Sequence, residues 1–301
     1  MSAPAQSFST IALVGRYAGS GFAEPLERLA AFLTRRGHRV LVDAETAQLT
    51  PVQGYPAAPL SQLGREAKLA IVVGGDGTML SIARQLAGFD VPLIGINQGR
   101  LGFLTDIAVT DMESALGAML GGEFVEESRT LLDARVARSD EAGGNQSALA
   151  LNDVVVNRGA LGGMIECAVT IDGRFVYAMR ADGLIVATPT GSTAYALSAQ
   201  GPIVDPLVAA ILVVPVAPHA LTNRPIAVRD SVVIEIELLG GKDASVRCDG
   251  QANFPLFEGD SVVVRRAEHR VRLLHPKDHD HFAMLRRKLH WSETPEKLRP
   301  Q

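Results

Sequence analysis

The apolar pattern of this 301-residue chain changes period between about residues 120 and 129, and that change limits what it can fold into. Up to about residue 120, short apolar runs alternate with helical spacing. Ile11 to Val14 is strand-like, and Phe22, Leu26, Leu29 and Leu33 then recur every three or four residues. Arg39 to Val42, Leu69 to Val73 and Val91 to Ile96 are further runs of the buried kind. Met79, Leu80, Ala83, Leu86 and Ala87 share one helical face between the last two. Such alternation predicts a parallel sheet covered by helices. From about Arg129 the period is two: Ala148 to Val156, Ile165 to Ile171, Leu184 to Ala187, Val232 to Leu238 and Ser261 to Arg265 are separated by Gly, Asp and Asn. Asp172-Gly173 is the strongest hairpin signal, and the region predicts an all-β unit. Ala142 to Ser147 is expected to be a hairpin loop, and Phe282 to Leu289 returns to helical spacing.

Composition removes several function classes. Hydrophobic residues at 47% and charged residues at 21% are ordinary for a globular chain. Lys plus Arg number 29 against 33 for Asp plus Glu, a net charge of −4 that lacks the basic excess of a nucleic-acid binder, so no nucleic-acid partner is expected. The longest apolar stretch, Leu207 to Ala217, contains Pro215 and falls short of the ~20 residues needed to span a bilayer, so no membrane partner is expected either. Met1 to Thr10 has neither a basic nor an apolar signal region and is expected to be a loose polar tail of a cytoplasmic protein. Cys167 and Cys248 form no C-x-x-C pair and are expected to be small core residues.

Three polar segments interrupt the apolar pattern where chemistry is possible. Leu69 to Thr78 runs a buried strand into Gly74-Gly-Asp-Gly-Thr78 and then into a helix. Glycines there permit positive φ and close approach of a ligand, and the free N–H groups of the following helix attract phosphate. The local alternative is a tight Asp76-Gly77 turn with Thr78 as helix N-cap. Thr188-Pro-Thr-Gly-Ser-Thr-Ala-Tyr195 is a second glycine-containing turn whose hydroxyls either grip a nucleotide or, at Ser192 or Thr193, only cap a helix. Leu151-Asn152-Asp153 puts an amide and a carboxylate before a strand, free to accept from sugar hydroxyls. Gly15 to Gly21, with Asp43 beyond, does not spell the dinucleotide fingerprint G-x-G-x-x-G, and no G-x-x-x-x-G-K-[ST] phosphate loop occurs. His275-Pro-Lys-Asp-His-Asp-His281 clusters imidazoles and carboxylates but lies near the terminus without cysteines. It is expected to be a solvated turn, and no metal ligand is assigned.

Together, Gly74 to Thr78, Asn97-Gln-Gly-Arg-Leu-Gly-Phe-Leu-Thr-Asp106, Leu151 to Asp153, and Ala181-Asp-Gly-Leu184 leading into Thr188 to Tyr195 resemble the motifs of bacterial NAD kinases. Their order and spacing agree from Ile11 to about Trp291. The glycine-aspartate motif alone is shared with diacylglycerol and sphingosine kinases and with 6-phosphofructokinases; its combination with the threonine-rich motif is specific. The resemblance implies transfer of the γ-phosphoryl of ATP to the 2′-hydroxyl of the adenosine ribose of NAD, with Mg²⁺ or another divalent cation. It implies a Rossmann-like α/β domain over 1–127, a β-sandwich NAD-binding domain over 128–275, and a terminal segment, 276–301, packing back on the first. A homodimer or homotetramer is implied too.

By position, Asp76 corresponds to the motif aspartate, expected to bond the attacking hydroxyl and accept its proton. Gly75 and Gly77 correspond to glycines that admit the diphosphate. Asn152 and Asp153 correspond to an asparagine-acid pair on adenine and ribose, where glutamate is frequent in the family. Phe103, Thr193, Ala194, Tyr195 and Ser198 correspond to positions around the adenosine, with Asp182 and Gln251 as further dinucleotide contacts and Arg180 as a polar position near the ligand. Two other functions share some of these features: a diacylglycerol-type lipid kinase, and an NAD-binding sensor without catalysis.

Overall fold

The computed structural model describes residues 8–15, 23–50, 52–99, 102–139, 146–159, 163–220 and 222–291. Most of the stretch from Gly15 to Gly21, the start of the Ala142 to Ser147 loop, Phe22 and most of the amino-terminal tail lie outside these residues. The chain divides into two compact units. The first draws on Met1–Met79, Pro92–Glu127 and Leu273–Gln301, the second on Leu80–Val91 and Ser128–Arg272.

In chain order the first part contains β1 (Thr10–Gly15), α1 (Ala23–Arg35), β2 (Arg39–Asp43), α2 (Ala44–Leu49), β3 (Ala57–Ala58), α3 (Leu60–Glu66), β4 (Leu69–Gly74), α4 (Asp76–Leu86), β5 (Leu93–Asn97), β6 (Ile107–Ala108) and α5 (Met112–Leu120). The strands pair in parallel in the order β5-β4-β1-β2-β3, with β6 on β5. Every residue of β1, β4 and β5 is buried, which is why these strands lack alternation in the sequence: a parallel sheet covered on both faces needs apolar residues on both. Leu26, Leu29 and Leu33 of α1 join Ile11, Leu13, Ile71 and Ile94 in one core, as the spacing of α1 predicts.

The second part contains β7 (Phe124–Ala137), β8 (Gln146–Ala150), β9 (Asp153–Asn157), β10 (Ile165–Ile171), β11 (Arg174–Ala181), β12 (Gly183–Ala187), α6 (Tyr195–Ser198), β13 (Ala210–Val216), β14 (Ile226–Arg229), β15 (Val233–Gly240), β16 (Ser245–Cys248), β17 (Ala252–Pro255) and β18 (Ser261–Pro276). Helix α7 (His281–Leu289) follows. One antiparallel sheet runs β14-β13-β12-β9-β16-β17, and a second runs β11-β10-β15-β18. Val154, Val156, Leu184 and Val186 of the first sheet pack with Cys167, Val169, Ile234, Ile236, Val262 and Val264 of the second. This is a β-sandwich. Val155, Ile185, Leu212 and Val214 point the other way and are covered by Ala196 of α6. Both cysteines are free and buried, and burial pushes each thiol up to about 12, so neither is a nucleophile.

Asp172 and Gly173 make the β10–β11 hairpin with φ of 49° and 72°, the two positive values a type I′ turn requires. Two runs differ from the sequence reading. Ala148 to Val156 is broken at Leu151-Asn152 into β8 and β9. Strand β18 continues to Pro276, well past Arg265, because paired backbone carries the exposed Arg265, Arg266, Glu268 and Arg270 where no alternation marks it.

Candidate active site

Within the first unit the polar groups gather around Asp76. Strand β4 ends at Gly74, and helix α4 starts at Asp76 itself, with the N–H groups of Thr78 and Met79 bonding the Gly75 carbonyl at 3.0 and 3.1 Å. Thr78 is therefore inside the helix and does not cap it. Gly74 serves closeness rather than positive φ: a Cβ there would stand 2.8 Å from the Thr78 side chain. The start of α4 leaves Gly77 exposed, with main-chain N–H groups at the positive end of an eleven-residue helix.

The Asp76 carboxylate is gripped by the segment that ends the Asn97 to Asp106 motif. Its Oδ2 accepts from the Phe103 N–H at 2.8 Å. Its Oδ1 accepts from the Leu104 N–H and the Thr105 hydroxyl, both at 3.0 Å. Thr105 Oγ1 also receives the Asn97 amide at 2.7 Å, so the two ends of the motif are tied together. A carboxylate offers about four lone-pair positions, so among the described residues these three donors leave one, on Oδ2. Above the Phe103 ring, 5.8 Å from its centre, lies the ammonium of Lys288 on α7.

Within the second unit a different set meets. Asp249, with φ of 51° beside Gly250 at 65°, turns its fully buried carboxylate toward residues 151–153. It accepts from the N–H groups of Leu151 at 2.9 Å, Asn152 at 2.8 Å and Asp153 at 3.2 Å, and pairs with Arg84 at 3.3 Å. These bonds hold the N–H groups at the break between β8 and β9. Arg84 also bonds the side chain of Gln251 at 2.5 Å. The threonine-rich turn docks on the same segment: Thr188 Oγ1 donates to the Leu151 carbonyl at 2.6 Å and accepts from the Gly191 N–H at 3.1 Å. A Cβ on Gly191 would overlap the Asn152 carbonyl, so only glycine allows the two motifs to touch.

Asp153 accepts the main-chain N–H of Tyr195. Burial first, and the neighbouring Asp249 charge second, push its carboxyl up to about 7. Burial raises Asp249 as well, against the pull of three N–H donors and Arg84, which favour its charged form. Most hydroxyls of the turn bond within the protein, the second of the two roles the sequence leaves open for Ser192 and Thr193. Ser192 is fully buried between the Pro189 carbonyl, 2.6 Å, and the Val204 N–H, 3.0 Å. Thr193 donates to the Thr190 carbonyl at 3.2 Å, and Thr190 receives Arg129 at 3.3 Å. The Tyr195 ring is exposed at 44%, and Ser198 is exposed.

Asn152, Asp153, Thr193, Ala194, Tyr195 and Gln251 thus share one neighbourhood with Asp249 and Arg84. Arg180 and Asp182 do not join it. Asp153 pairs with Ala187 at one end of β12, whereas Asp182 precedes Gly183 at the other, roughly 16 Å away at ~3.3 Å per residue. There Asp182 pairs with Arg158 at 3.0 Å and the exposed Arg180 with Glu166 at 2.8 Å.

The ATP-NAD kinase N-terminal domain matches residues 11–124, and the ATP-NAD kinase C-terminal domain matches residues 151–276. The NAD kinase of Cupriavidus pinatubonensis is 52% identical over 301 residues, covering 98% of each chain. That of Burkholderia thailandensis is 53% identical over 288 residues, covering 96% of each. The chain belongs to the ATP-NAD kinase family. Among solved structures, yeast NADH kinase complexed with NADH superimposes with a TM-score of 0.86 at 25% identity, covering 96% of this chain and 89% of that one. An NAD kinase from Archaeoglobus fulgidus in complex with ATP gives 0.70 at 28% identity, covering 93% and 98%.

For a member of the ATP-NAD kinase family, two residues of this site escape a reading by motif. Asp249 carries only the weak signal of an Asp-Gly turn beside Gln251, and Arg84 carries none, being one cation on an amphipathic helix. The His275 to His281 segment also differs from its expected solvated turn: His275 is 1% exposed and the His279 side chain 7%. Asp106, which ends the family's glycine-rich motif, holds both imidazoles. No described helix is long and apolar enough to cross a membrane.

Proposed function

We propose that the protein transfers the γ-phosphoryl group of ATP to the 2′-hydroxyl of the adenosine ribose of NAD, giving NADP and ADP. The observation that carries the reading is the state of Asp76: a carboxylate fixed by three donors, with one lone pair left on Oδ2, at the first residue of a helix whose N–H groups attract phosphate. The ribose hydroxyl donates to that lone pair. As its oxygen bonds to the γ-phosphorus and the bond to ADP breaks, the proton passes to Oδ2. Gly75 and Gly77 leave room for the phosphates at the helix start. That exposed, glycine-lined turn suits a triphosphate carrying Mg²⁺, and the ion would supply charge neutralisation.

Asn152 and Asp153 are proposed to take adenine and ribose, with Phe103, Thr193, Ala194, Tyr195 and Ser198 around the adenosine and Gln251 beside it. The exposed Tyr195 ring, next to a carboxyl held at the break between two strands, supports this set. Arg180 and Asp182 belong to the proposed set only for a part of the dinucleotide remote from that adenosine. We further take the enzyme to work in the cytoplasm as a homodimer or homotetramer, with its sandwich domain over 128–275 and its terminal segment, 276–301, serving the first domain. Strand β11 ends its sheet and exposes Phe175 and Val176, which suits pairing with a second copy.

Purified protein incubated with NAD, ATP and Mg²⁺ is expected to form NADP and ADP in equal amounts and to stop when EDTA is added. No NADP from folded protein, or a rate unchanged by EDTA, contradicts the proposal.

A further inference from the structure

We propose that Lys288 binds the phosphoryl group in transit, first as the γ-phosphate of ATP and then as the 2′-phosphate of NADP; the inference rests on the transfer reaction proposed above. Lys288 stands in the last turn of α7, four residues after Met284 and three after Leu285. Those two side chains are buried, so the spacing puts Lys288 on the buried face of the helix. Both ends of the helix are tied. Asp280 accepts the N–H groups of Phe282 and Ala283 at 2.8 and 3.1 Å, and His290, left-handed with φ of 56°, returns its N–H to the Arg286 carbonyl. The Lys288 ammonium is thereby carried to the ring of Phe103, 5.8 Å from its centre. Arg286 pairs with Asp280 at 3.7 Å and Arg287 donates to the Met284 sulfur at 3.3 Å. No carboxylate among the described residues pairs with the half-buried Lys288. An aromatic face attracts an ammonium but accepts no ordinary hydrogen bond, so its three donors remain for an anion.

The ring of Phe103 marks where that anion lies. The Phe103 N–H bonds Oδ2 of Asp76 at 2.8 Å, and the same oxygen has the lone pair assigned to the ribose hydroxyl. The Gly102 N–H, on the Thr105 carbonyl at 3.0 Å, fixes this turn of the loop. A hydroxyl on Oδ2 is therefore a neighbour of Phe103. A phosphoryl group on that hydroxyl oxygen extends one bond further, into the reach of a flexible four-carbon stem. Electrostatics asks for a cation there, because the incoming γ-phosphate is anionic and repels the Asp76 carboxylate at close range. In the step itself the 2′-oxygen bonds to the γ-phosphorus and the bond from that phosphorus to the β–γ bridging oxygen breaks. The proton passes to Oδ2, and the electron pair leaves with ADP. Lys288 keeps its three protons and forms no covalent bond. A lysine suits a group that shifts position, since its donors rotate about a point charge where a planar guanidinium fixes one orientation. NADP differs from NAD by the 2′-phosphate, so the contact is made with the product dinucleotide and is missing with the substrate dinucleotide.

The test measures Kd for NADP and for NAD on full-length protein without ATP, together with kcat/KM for ATP in NADP formation. Lys288→Met keeps an unbranched stem and removes the charge. It is expected to raise Kd for NADP about 10- to 150-fold and to lower kcat/KM for ATP by the same order, while Kd for NAD stays within about twofold. Lys288→Arg should recover part of both losses. A Kd for NADP unchanged in the Lys288→Met protein overturns the proposal. Equal weakening of NAD and NADP overturns it too, since Lys288 would then only pack behind Phe103. Should Lys288→Met fail to fold, Lys288→Gln is measured in its place and the same outcomes decide. Wild-type protein that makes no NADP contradicts the transfer reaction itself, and this proposal falls with it; wild-type turnover beside an unaltered Lys288→Met overturns the proposal alone.

Discussion

A Cβ placed on Gly102 would overlap the carboxylate of Asp76, so the loop bearing Phe103, Leu104 and Thr105 reaches that side chain only because residue 102 has none. The requirement is space. Gly102→Ala must push either the loop or Asp76 aside. Misplacing a reacting group by about 1 Å can cost about 10²-fold in rate, so kcat for NADP formation is expected to fall by that order. Melting temperature should drop with it, because overpacking costs about 1 to 3 kcal/mol. Wild-type kcat in this variant would show that the grip on Asp76 is irrelevant to turnover.

Asp249 is expected to act as a positioning residue. Its carboxylate holds three successive N–H groups at the break between β8 and β9. Asp249→Ala leaves those donors and Arg84 without their acceptor, at about 1 to 3 kcal/mol for each group that water cannot reach. If the variant folds, KM for NAD should rise at least tenfold while KM for ATP moves little. Asp249→Asn, which tolerates the left-handed backbone and keeps one acceptor oxygen, should lie between. Equal changes in both KM values would mean general loosening.

Asp153 supplies a pH signature. Its carboxyl titrates near 7 when folded but near the ordinary aspartate value of 3.8 when unfolded, so the folded state binds more protons between those values. Stability is therefore lost as pH rises through that window and levels off above about 7. Asp153→Asn removes this loss and can still accept the Tyr195 N–H. Its melting temperature relative to wild type should climb from about pH 4 to about pH 7 and then stay flat. A difference independent of pH would rule out the shift.

Removal of the same carboxyl should also show in binding. Asp153→Ala is expected to raise KM for NAD on the order of 10- to 150-fold, the equivalent of a hydrogen bond to a charged group at ~1.5 to 3 kcal/mol, with kcat much less affected. Asp153→Glu should stay within a few-fold. An unchanged KM with a lowered melting temperature in Asp153→Ala would leave the residue only its contact with Tyr195.

The elements that the sequence shows most plainly are those whose burial is uniform or strictly alternating. Strands β1 and β4 are continuous apolar runs because both faces of their sheet are covered, and Asp172-Gly173 marks a turn that needs two positive φ values. Strand β18 is legible only as far as Arg265, since the pairing of its backbone leaves no trace in side chains that face water. The same division holds at the site. Asp76 and Asp153 stand in compact motifs, whereas Asp249 lies 96 residues from Asp153 and meets it only through strand pairing. His275 and His279 look like solvated polar residues until Asp106, 169 residues away from the first, is seen to bury them. The two roles of the hydroxyls in the threonine-rich turn stay open in the sequence for a related reason: a threonine that binds a main-chain carbonyl and one that binds a ligand have the same letter.

The measurement that bears most directly on the central claim is the rate of NADP formation by Asp76→Asn beside wild type, at saturating NAD, ATP and Mg²⁺. Asn keeps the shape and can still accept from Phe103 or Leu104, but it cannot take the proton of the ribose hydroxyl. The account predicts that kcat falls by ~10² to 10⁴ while NAD binding weakens far less. A kcat within a few-fold of wild type would contradict it and leave Asp76 as the anchor of a loop and nothing more.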